Sequence, residues 1–309
     1  MERYRDFNSY LKDMFGERVQ KIPLDAGLGC PNRDGTISHK GCIFCDQRGS
    51  GTGALINKGL SIEEQIVQGK CFMEKRYGAR KFIAYFQSFT NTYAPIARLK
   101  VLYDRALAHE GMVGLAVGTR PDCIDDDVLD LLKSYKQDYL VWIEFGLQSS
   151  HEITLERINR GHTVSCFEHS VLAANKCGLN ICAHIILGLP GETRDMMLQT
   201  AHFLSALPIQ GIKIHVLYVV EGTQLAKNYR RGGLRCLEQE EYANIVVEFL
   251  EILPSEIIIQ RLTGDPPRSE LVAPSWAKEK AANLALIRDI MKRRNTWQGR
   301  LFQKFTVGS

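Results

Sequence analysis

The chain has 309 residues, is 45% hydrophobic and 24% charged, and carries a formal net charge of +4 at pH 7. This suits one large globular domain, or a domain with a short appendage, and the mild positive charge permits a nucleic-acid partner without demanding one. No apolar run reaches the about twenty residues of a membrane span, and the opening Met-Glu-Arg-Tyr-Arg-Asp has no apolar segment behind it, so a reduced, cytoplasmic setting is expected rather than secretion.

In chain order, residues 19–24 read as a first strand that leads straight into a cysteine-bearing loop. Near-continuous apolar runs follow at 81–86, 112–117, 139–145, 180–187, 211–217 and 256–260. Runs of this length predict parallel strands buried on both faces. Amphipathic helical patterns lie between them, at 61–77, 96–109, 125–135, 166–177, 193–207 and 239–253. The first opens with Ser61-Ile-Glu-Glu64, a capping box. Residues 275–295 read as a closing helix, followed by a loose tail.

Six or seven βα units with short connections imply a parallel sheet with right-handed crossovers. Count and length suit an α/β fold of the incomplete (β/α)6-type TIM-barrel kind better than a flat doubly wound sheet. The expected layout is a single domain, 1–309, with a core of about 18–262 and a helical C-terminal extension over 263–309. In such barrels chemistry sits in the loops after the strands.

The loop after the first strand holds Cys30, Cys42 and Cys45. Thiolates are soft ligands that suit iron–sulfur clusters and zinc. Three ligands leave one coordination position open for a substrate or cosubstrate. His39 lies between the first two cysteines, so Cys30, His39, Cys42 and Cys45 could instead close a structural zinc knuckle. Both metals remain open at this point. A disulfide fits poorly, because the nine cysteines are odd in number and the expected compartment is reducing. The other six cysteines are scattered singly and read as semi-buried thiols.

Strand ends supply a second signal. Small or polar residues appear where a ligand would lie: Gln87-Ser-Phe-Thr-Asn-Thr-Tyr93, Gly118-Thr-Arg-Pro-Asp122, Glu144-Phe-Gly-Leu-Gln-Ser149, Asn159-Arg-Gly-His162 and His184-Ile-Ile-Leu-Gly-Leu-Pro-Gly-Glu192. Each alone is weak. Gly188-Leu-Pro-Gly191, for instance, is an ordinary strand-to-helix turn. Glu144 sits inside a buried run and so calls for a partner. Taken in order behind Cys-x-x-Cys, the set is far more specific.

On these residues the chain resembles the radical S-adenosylmethionine (SAM) superfamily, and within it the branch of the elongator catalytic subunit and the methylthiotransferases. The long gap between Cys30 and Cys42 is similar to that branch. Leu262-Thr-Gly-Asp-Pro-Pro-Arg268 and Ala273-Pro-Ser-Trp276 resemble the bacterial YhcC/YtqA (MnmL-type) family, whose Gram-positive members are implicated in maturing the wobble uridine of transfer RNA.

The resemblance implies a [4Fe–4S] cluster held by Cys30, Cys42 and Cys45, with SAM chelating the fourth iron. It implies Phe44 against adenine, Gln87 and Ser88 facing the methionine amino group, and Gln148 on the ribose hydroxyls. Arg160 would meet the SAM carboxylate, where a planar fork of donors fits. His184 would occupy a polar slot beside the ribose, and Leu187 and Gly188 would meet adenine through their backbone. Glu144 joins this cofactor-binding set.

Reductive cleavage of SAM would yield a 5′-deoxyadenosyl radical for hydrogen abstraction from unactivated C–H bonds, chemistry that side chains cannot perform alone. A one-electron donor such as flavodoxin or ferredoxin is implied. The substrate implied is transfer RNA, with carboxymethylaminomethyl on the wobble uridine becoming aminomethyl, ready for a separate SAM-dependent methyltransferase. A small metabolite or peptide substrate, and a zinc-binding protein without catalysis, stand as alternatives. Candidate substrate contacts are Asn91, Thr92, Arg120, Asp122, His215, Tyr218, Asp265 and Arg268, each of which could also be a loop-stabilising polar residue. Two basic clusters, Arg230, Arg231 and Arg235, and Lys292, Arg293, Arg294, Arg300 and Lys304, could hold RNA phosphates or be solvated surface.

Overall fold

The apolar runs fold into β1 (Val19–Leu24), β2 (Lys81–Phe86), β3 (Met112–Thr119), β4 (Leu140–Gln148), β5 (Asn180–Leu187) and β6 (Gly211–Val216), followed by β7 (Val219–Val220), β8 (Ile258–Arg261) and β9 (Leu271–Ala273). The structure is a computed structural model and describes residues 2–49 and 59–303. The helices are α1 (Phe7–Phe15), α2 (Ile62–Tyr77), α3 (Ile96–Leu107), α4 (Asp126–Ser134), α5 (Glu152–Arg157), α6 (Val164–Lys176), α7 (Arg194–Ser205), α8 (Gln224–Arg230), α9 (Gln239–Ile252) and α10 (Lys280–Arg293). Side-chain caps fix several starts. Ser61 forms the foreseen capping box on α2, and Asp125, Thr163 and Thr193 each accept a backbone N–H on α4, α6 and α7.

The main sheet runs β1-β2-β3-β4-β5-β6-β8, and every pairing in it is parallel. Residues alternate across it. One set, including Ile22, Phe82, Leu115, Val141, Ile181 and Ile212, packs outward under the helices in the large core. The other set points inward. Its lower layer is apolar: Val19, Ile83, Ala116, Trp142, Cys182 and Ile258.

The sheet is curled. Lys21 Nζ on β1 lies 2.6 Å from Gln260 Oε1 on β8, although these strands end the sheet on opposite sides. Laid flat, six strand spacings would separate them by about 29 Å. The expected incomplete barrel is therefore the observed one. α1, which the apolar pattern did not foresee, plugs its lower mouth. Leu11 is 2% exposed, and the Phe7 ring meets the Trp142 ring edge-on at 5.8 Å.

β7 and β9 form a separate antiparallel pair. The C-terminal part returns to the start of the chain, where the Gln298 N–H donates to the Arg3 carbonyl at 2.9 Å.

Candidate active site

The cysteine loop leaves β1 on the rim formed by the C-terminal ends of the strands. Cys42 is buried, and Cys30 and Cys45 are half-buried. Arg33 holds the loop's shape by donating to the carbonyls of Cys45 and Asp46 at 3.0 and 2.6 Å. The Asn-Arg-Gly-His segment clamps it from across the site. Asn159 Nδ2 donates to the Gly41 carbonyl at 2.6 Å, and Asn32 Nδ2 donates to the Asn159 carbonyl at 2.7 Å. Asn159 takes φ 53 to do this, a left-handed conformation that Asn tolerates better than most residues.

A tetrahedral zinc with sulfur at about 2.3 Å needs its ligand atoms about 3.8 Å apart. Among the described residues, no three ligand atoms of Cys30, His39, Cys42 and Cys45 come within 4.8 Å of one another. His39 is exposed, its ring packed over the bare face of Gly35.

Behind the thiols the barrel encloses a cavity of about 190 Å³. It is lined by Cys30, Cys42, Cys45 and Phe44 from the loop, and by Gln87, Glu144, Gln148, Arg160 and His184 from the expected cofactor set. Ser88, Leu187 and Gly188 are not among its lining residues. The reason is strand parity: Gln87 and Ile186 point in, so their neighbours point out. Ser88 is 1% exposed and Leu187 packs in the outer core. Gly188 lines a separate pocket and directs its N–H at Met197 Sδ, 3.2 Å away.

Arg160 stands between the cavity and the loop. It donates to the Gly146 carbonyl at 3.2 and 2.7 Å and reaches Cys42 Sγ at 3.6 Å. Asn32 Nδ2 is also 3.6 Å from that sulfur. Gly146 has to be glycine for this packing, because a Cβ there would lie 2.7 Å from Arg160 Nη2 and 2.6 Å from Gln148 Nε2. Arg120 lines the same wall, paired with both oxygens of Asp122 at 2.8 and 2.7 Å. Burial, with the Arg160 and Arg120 charges alongside, pushes His162 down to about 3, so it stays neutral. Two cavity-lining residues hold strained backbones, Phe89 at φ 62 and Gln148 at φ 80. Strain of this kind concentrates at functional sites.

The cavity floor is polar, and sequence reading missed most of it. Glu144 is the hub. It accepts from Lys21 at 2.6 Å, from His184 at 2.8 Å and from Lys213 in a short contact. Burial opposes its charge, but the two ammonium groups and His184 hold its carboxyl well below the usual range. Lys213 also donates to the Tyr85 hydroxyl at 3.0 Å, and burial pulls it down to about 7. Lys213 and His215 alternate with isoleucines along β6, a period-two signal that marks them as inward-facing. Tyr85, Lys213 and Arg261 joined no expected site.

Of the expected substrate contacts, Arg120, His215 and Tyr218 line the cavity. Asn91 and Thr92 are buried in the rim and bond to Gly118 and Thr119, while Asp122 serves Arg120. Asp265 and Arg268 are exposed and are not among the lining residues, although the Asp265 charge acts on the lining Tyr218. Burial pushes the Cys123 thiol up to about 12, which leaves it inert. In the basic clusters Arg230 pairs with Glu221, Arg235 with Glu241, Arg293 with Asp289 and Arg294 with Glu248. Arg300 lies 4.0 Å from Glu251. Lys304 lies outside the described residues.

A curled parallel barrel with three thiols on its rim above a cavity with a charged floor defines a class of enzyme that works at a thiolate-held metal centre. The chain belongs to the radical SAM superfamily, whose profile matches residues 27–204, more than half its length, and a Radical_SAM C-terminal domain matches residues 209–293. It is 42% identical over 303 residues to the uncharacterized protein YtqA of Bacillus subtilis, covering 98% of this chain and 94% of that one. To YhcC of Escherichia coli K12 it is 40% identical over 275 residues, 89% of this chain and 87% of that one. A weaker match, 27% over 169 residues, covers 53% of this chain and 30% of the tRNA uridine(34) acetyltransferase of Methanocaldococcus jannaschii. Among solved structures, the archaeal Methanocaldococcus infernus Elp3 superposes with a TM-score of 0.66 at 18% identity, over 91% of this chain and 64% of that one, which speaks for the shared fold. Among the described residues no helix is long and apolar enough to cross a membrane.

The superfamily's cofactors are a [4Fe–4S] cluster and SAM, and the donor set fits them: Cys30, Cys42 and Cys45 would hold three irons. When bound, the pair supplies a 5′-deoxyadenosyl radical. The chain's own residues orient and exclude. Arg160 and Asn32 direct N–H groups at the Cys42 sulfur, contacts of the kind that tune a cluster's potential. The enclosing barrel keeps water from the reacting atoms.

Proposed function

We propose that this radical SAM enzyme acts on transfer RNA at the C5 side chain of the wobble uridine, converting carboxymethylaminomethyluridine to aminomethyluridine. The relation to a protein named for uridine 34 of transfer RNA, over about half of the chain, carries the reading. The acetyl transfer in that protein's name belongs to it; what is taken over is the nucleotide position. The chemistry is consistent. The methylene between the side-chain amine and its carboxylate is not acidic enough for a protein base, but its C–H bond is weakened by both neighbours, so a radical route suits it: loss of a hydrogen atom to the 5′-deoxyadenosyl radical and of one electron to a one-electron acceptor such as an oxidised iron–sulfur centre gives an imine, which water splits into the aminomethyl group and glyoxylate. Flavodoxin or ferredoxin would supply electrons, and a methyltransferase would act on the product.

The test is mass spectrometry of transfer-RNA nucleosides from a deletion strain. Carboxymethylaminomethyluridine should accumulate and aminomethyluridine should disappear; an unchanged nucleoside profile removes the proposal. In vitro, the anaerobic holoenzyme with SAM and dithionite should form more 5′-deoxyadenosine when the modified transfer RNA is present. Replacing Cys30, Cys42 or Cys45 with alanine should abolish both bound iron and turnover.

A further inference from the structure

Lys213 on β6 and Arg261 on β8 are direct partners in the parallel register, and both line the cavity. Like charges placed opposite each other repel and need compensation. Lys213 has it, from Glu144 and the Tyr85 hydroxyl. Glu144 is the only carboxylate among the described lining residues, and it already serves Lys21, Lys213 and His184. Among the described residues no lining carboxylate remains for Arg261; the Asp46 and Asp265 charges act on the neighbouring Tyr218 but neither carboxylate forms an ion pair with Arg261. The other three cavity arginines are all engaged: Arg33 with the Cys45 and Asp46 carbonyls, Arg120 with Asp122, and Arg160 with the Gly146 carbonyl. Arg261 is half-buried and makes no hydrogen bond or ion pair among the described residues. Neither the Tyr218 hydroxyl nor the His215 ring has a hydrogen bond there either, and both border the same space.

A guanidinium withdrawn from water without a counter-ion is costly. Its planar fork of donors matches a carboxylate, and a phenol and an imidazole beside it can add donors. We propose that Arg261, with Tyr218 and His215, is the seat for a carboxylate carried by the substrate. The inference rests on the proposed function for the bearer of that carboxylate, the carboxymethylamino group of the modified uridine, and deepens it. Seated there, the carboxylate fixes the adjacent methylene in the cavity as the carbon that loses hydrogen. It also explains release. The nucleoside product keeps its amine and no carboxylate, so it leaves Arg261 nothing to hold.

SAM also carries a carboxylate, so the test separates the two sources. The probe is N-(4-fluorobenzyl)glycine, an aryl-CH2-NH-CH2-carboxylate that imitates the side chain, compared with its uncharged glycinamide. Fluorine NMR titration of the oxidised holoenzyme, saturated with SAM, reads both affinities. The acid should bind about tenfold or more tightly than the amide. Arg261→Gln should erase that preference, Arg261→Lys should keep part of it, and SAM affinity should stay within about twofold in both variants. Equal binding of acid and amide by the native enzyme overturns the proposal without any variant. So does a preference that survives Arg261→Gln, or a loss of SAM affinity matching the loss of probe. These titrations need no turnover. A probe preference alongside an unchanged nucleoside profile would retain the seat and discard the wobble-uridine reading, and the reverse pattern would discard the seat alone.

Discussion

The ammonium of Lys21, on the first strand of the sheet, lies 2.6 Å from the carboxamide oxygen of Gln260, on the last. The same ammonium is 2.6 Å from Glu144, on the middle strand. Three strands that are remote in a flat sheet thus meet at one point. A buried carboxylate fixes the curl of the barrel and forms the floor of its cavity at once.

Glu144→Ala tests that junction. It leaves the Lys21 and Lys213 ammonium groups without their shared counter-ion, and Lys213 is only 6% exposed. Breaking a buried pair from one side costs about 3–5 kcal/mol. Urea denaturation should show a loss in that range, and a loss below about 1 kcal/mol would mean that the network does not hold the barrel.

Acid should weaken the fold early. Burial holds His162 at about 3, His184 at about 4 and His215 well below its ordinary value of 6.5. The unfolded chain therefore binds more protons than the folded one below pH 6.5. The stabilisation is complete above that pH and is lost as pH falls toward the folded values. Each histidine adds about 1.36 kcal/mol per pH unit to the slope. Urea midpoints of the iron-free chain from pH 7 to 5 should fall steeply, and His162→Asn should flatten the limb by about one histidine's share.

The loop clamp separates two effects at one residue. Asn159→Gly keeps the left-handed backbone and loses the bond to the Gly41 carbonyl, a cost of about 1 kcal/mol. Asn159→Ala adds about 1–2 kcal/mol of backbone strain. Alanine should be the worse variant in stability and in iron retention, and equal losses would remove the strain argument.

Gly146→Ala should act on binding more than on folding. The atoms that its Cβ would strike are the far ends of the Gln148 and Arg160 side chains, which can swing away. Stability should fall by about 1–3 kcal/mol, whereas SAM affinity, read by equilibrium dialysis, should fall about tenfold or more. Unchanged SAM affinity would separate Gln148 and Arg160 from the cosubstrate.

Much of this was legible along the chain. Six of the seven sheet strands stand where the apolar runs lie, because a strand covered on both faces leaves a continuous apolar record. The cysteine loop follows β1, as the order of motifs implied. A motif names neighbours such as Gln87 and Ser88, and only the pleat decides which side chain faces inward: Gln87 lines the cavity and Ser88 does not. α1 went unread because its short apolar face has meaning only against Trp142 at the barrel mouth. The two- and three-residue strands β7 and β9 are too short for any period to show.

The sequence by itself determined the βα order, the three thiols and the membership of a chemical family, since periodicity and ligand spacing are local properties. Only the tertiary structure decided which charges meet. Lys21, Glu144, Lys213 and Arg261 are scattered over four strands, and Coulomb forces and desolvation depend on distance in space. The fold made Glu144 the centre of a network and left Arg261 facing the cavity with no ion-paired carboxylate among the described residues.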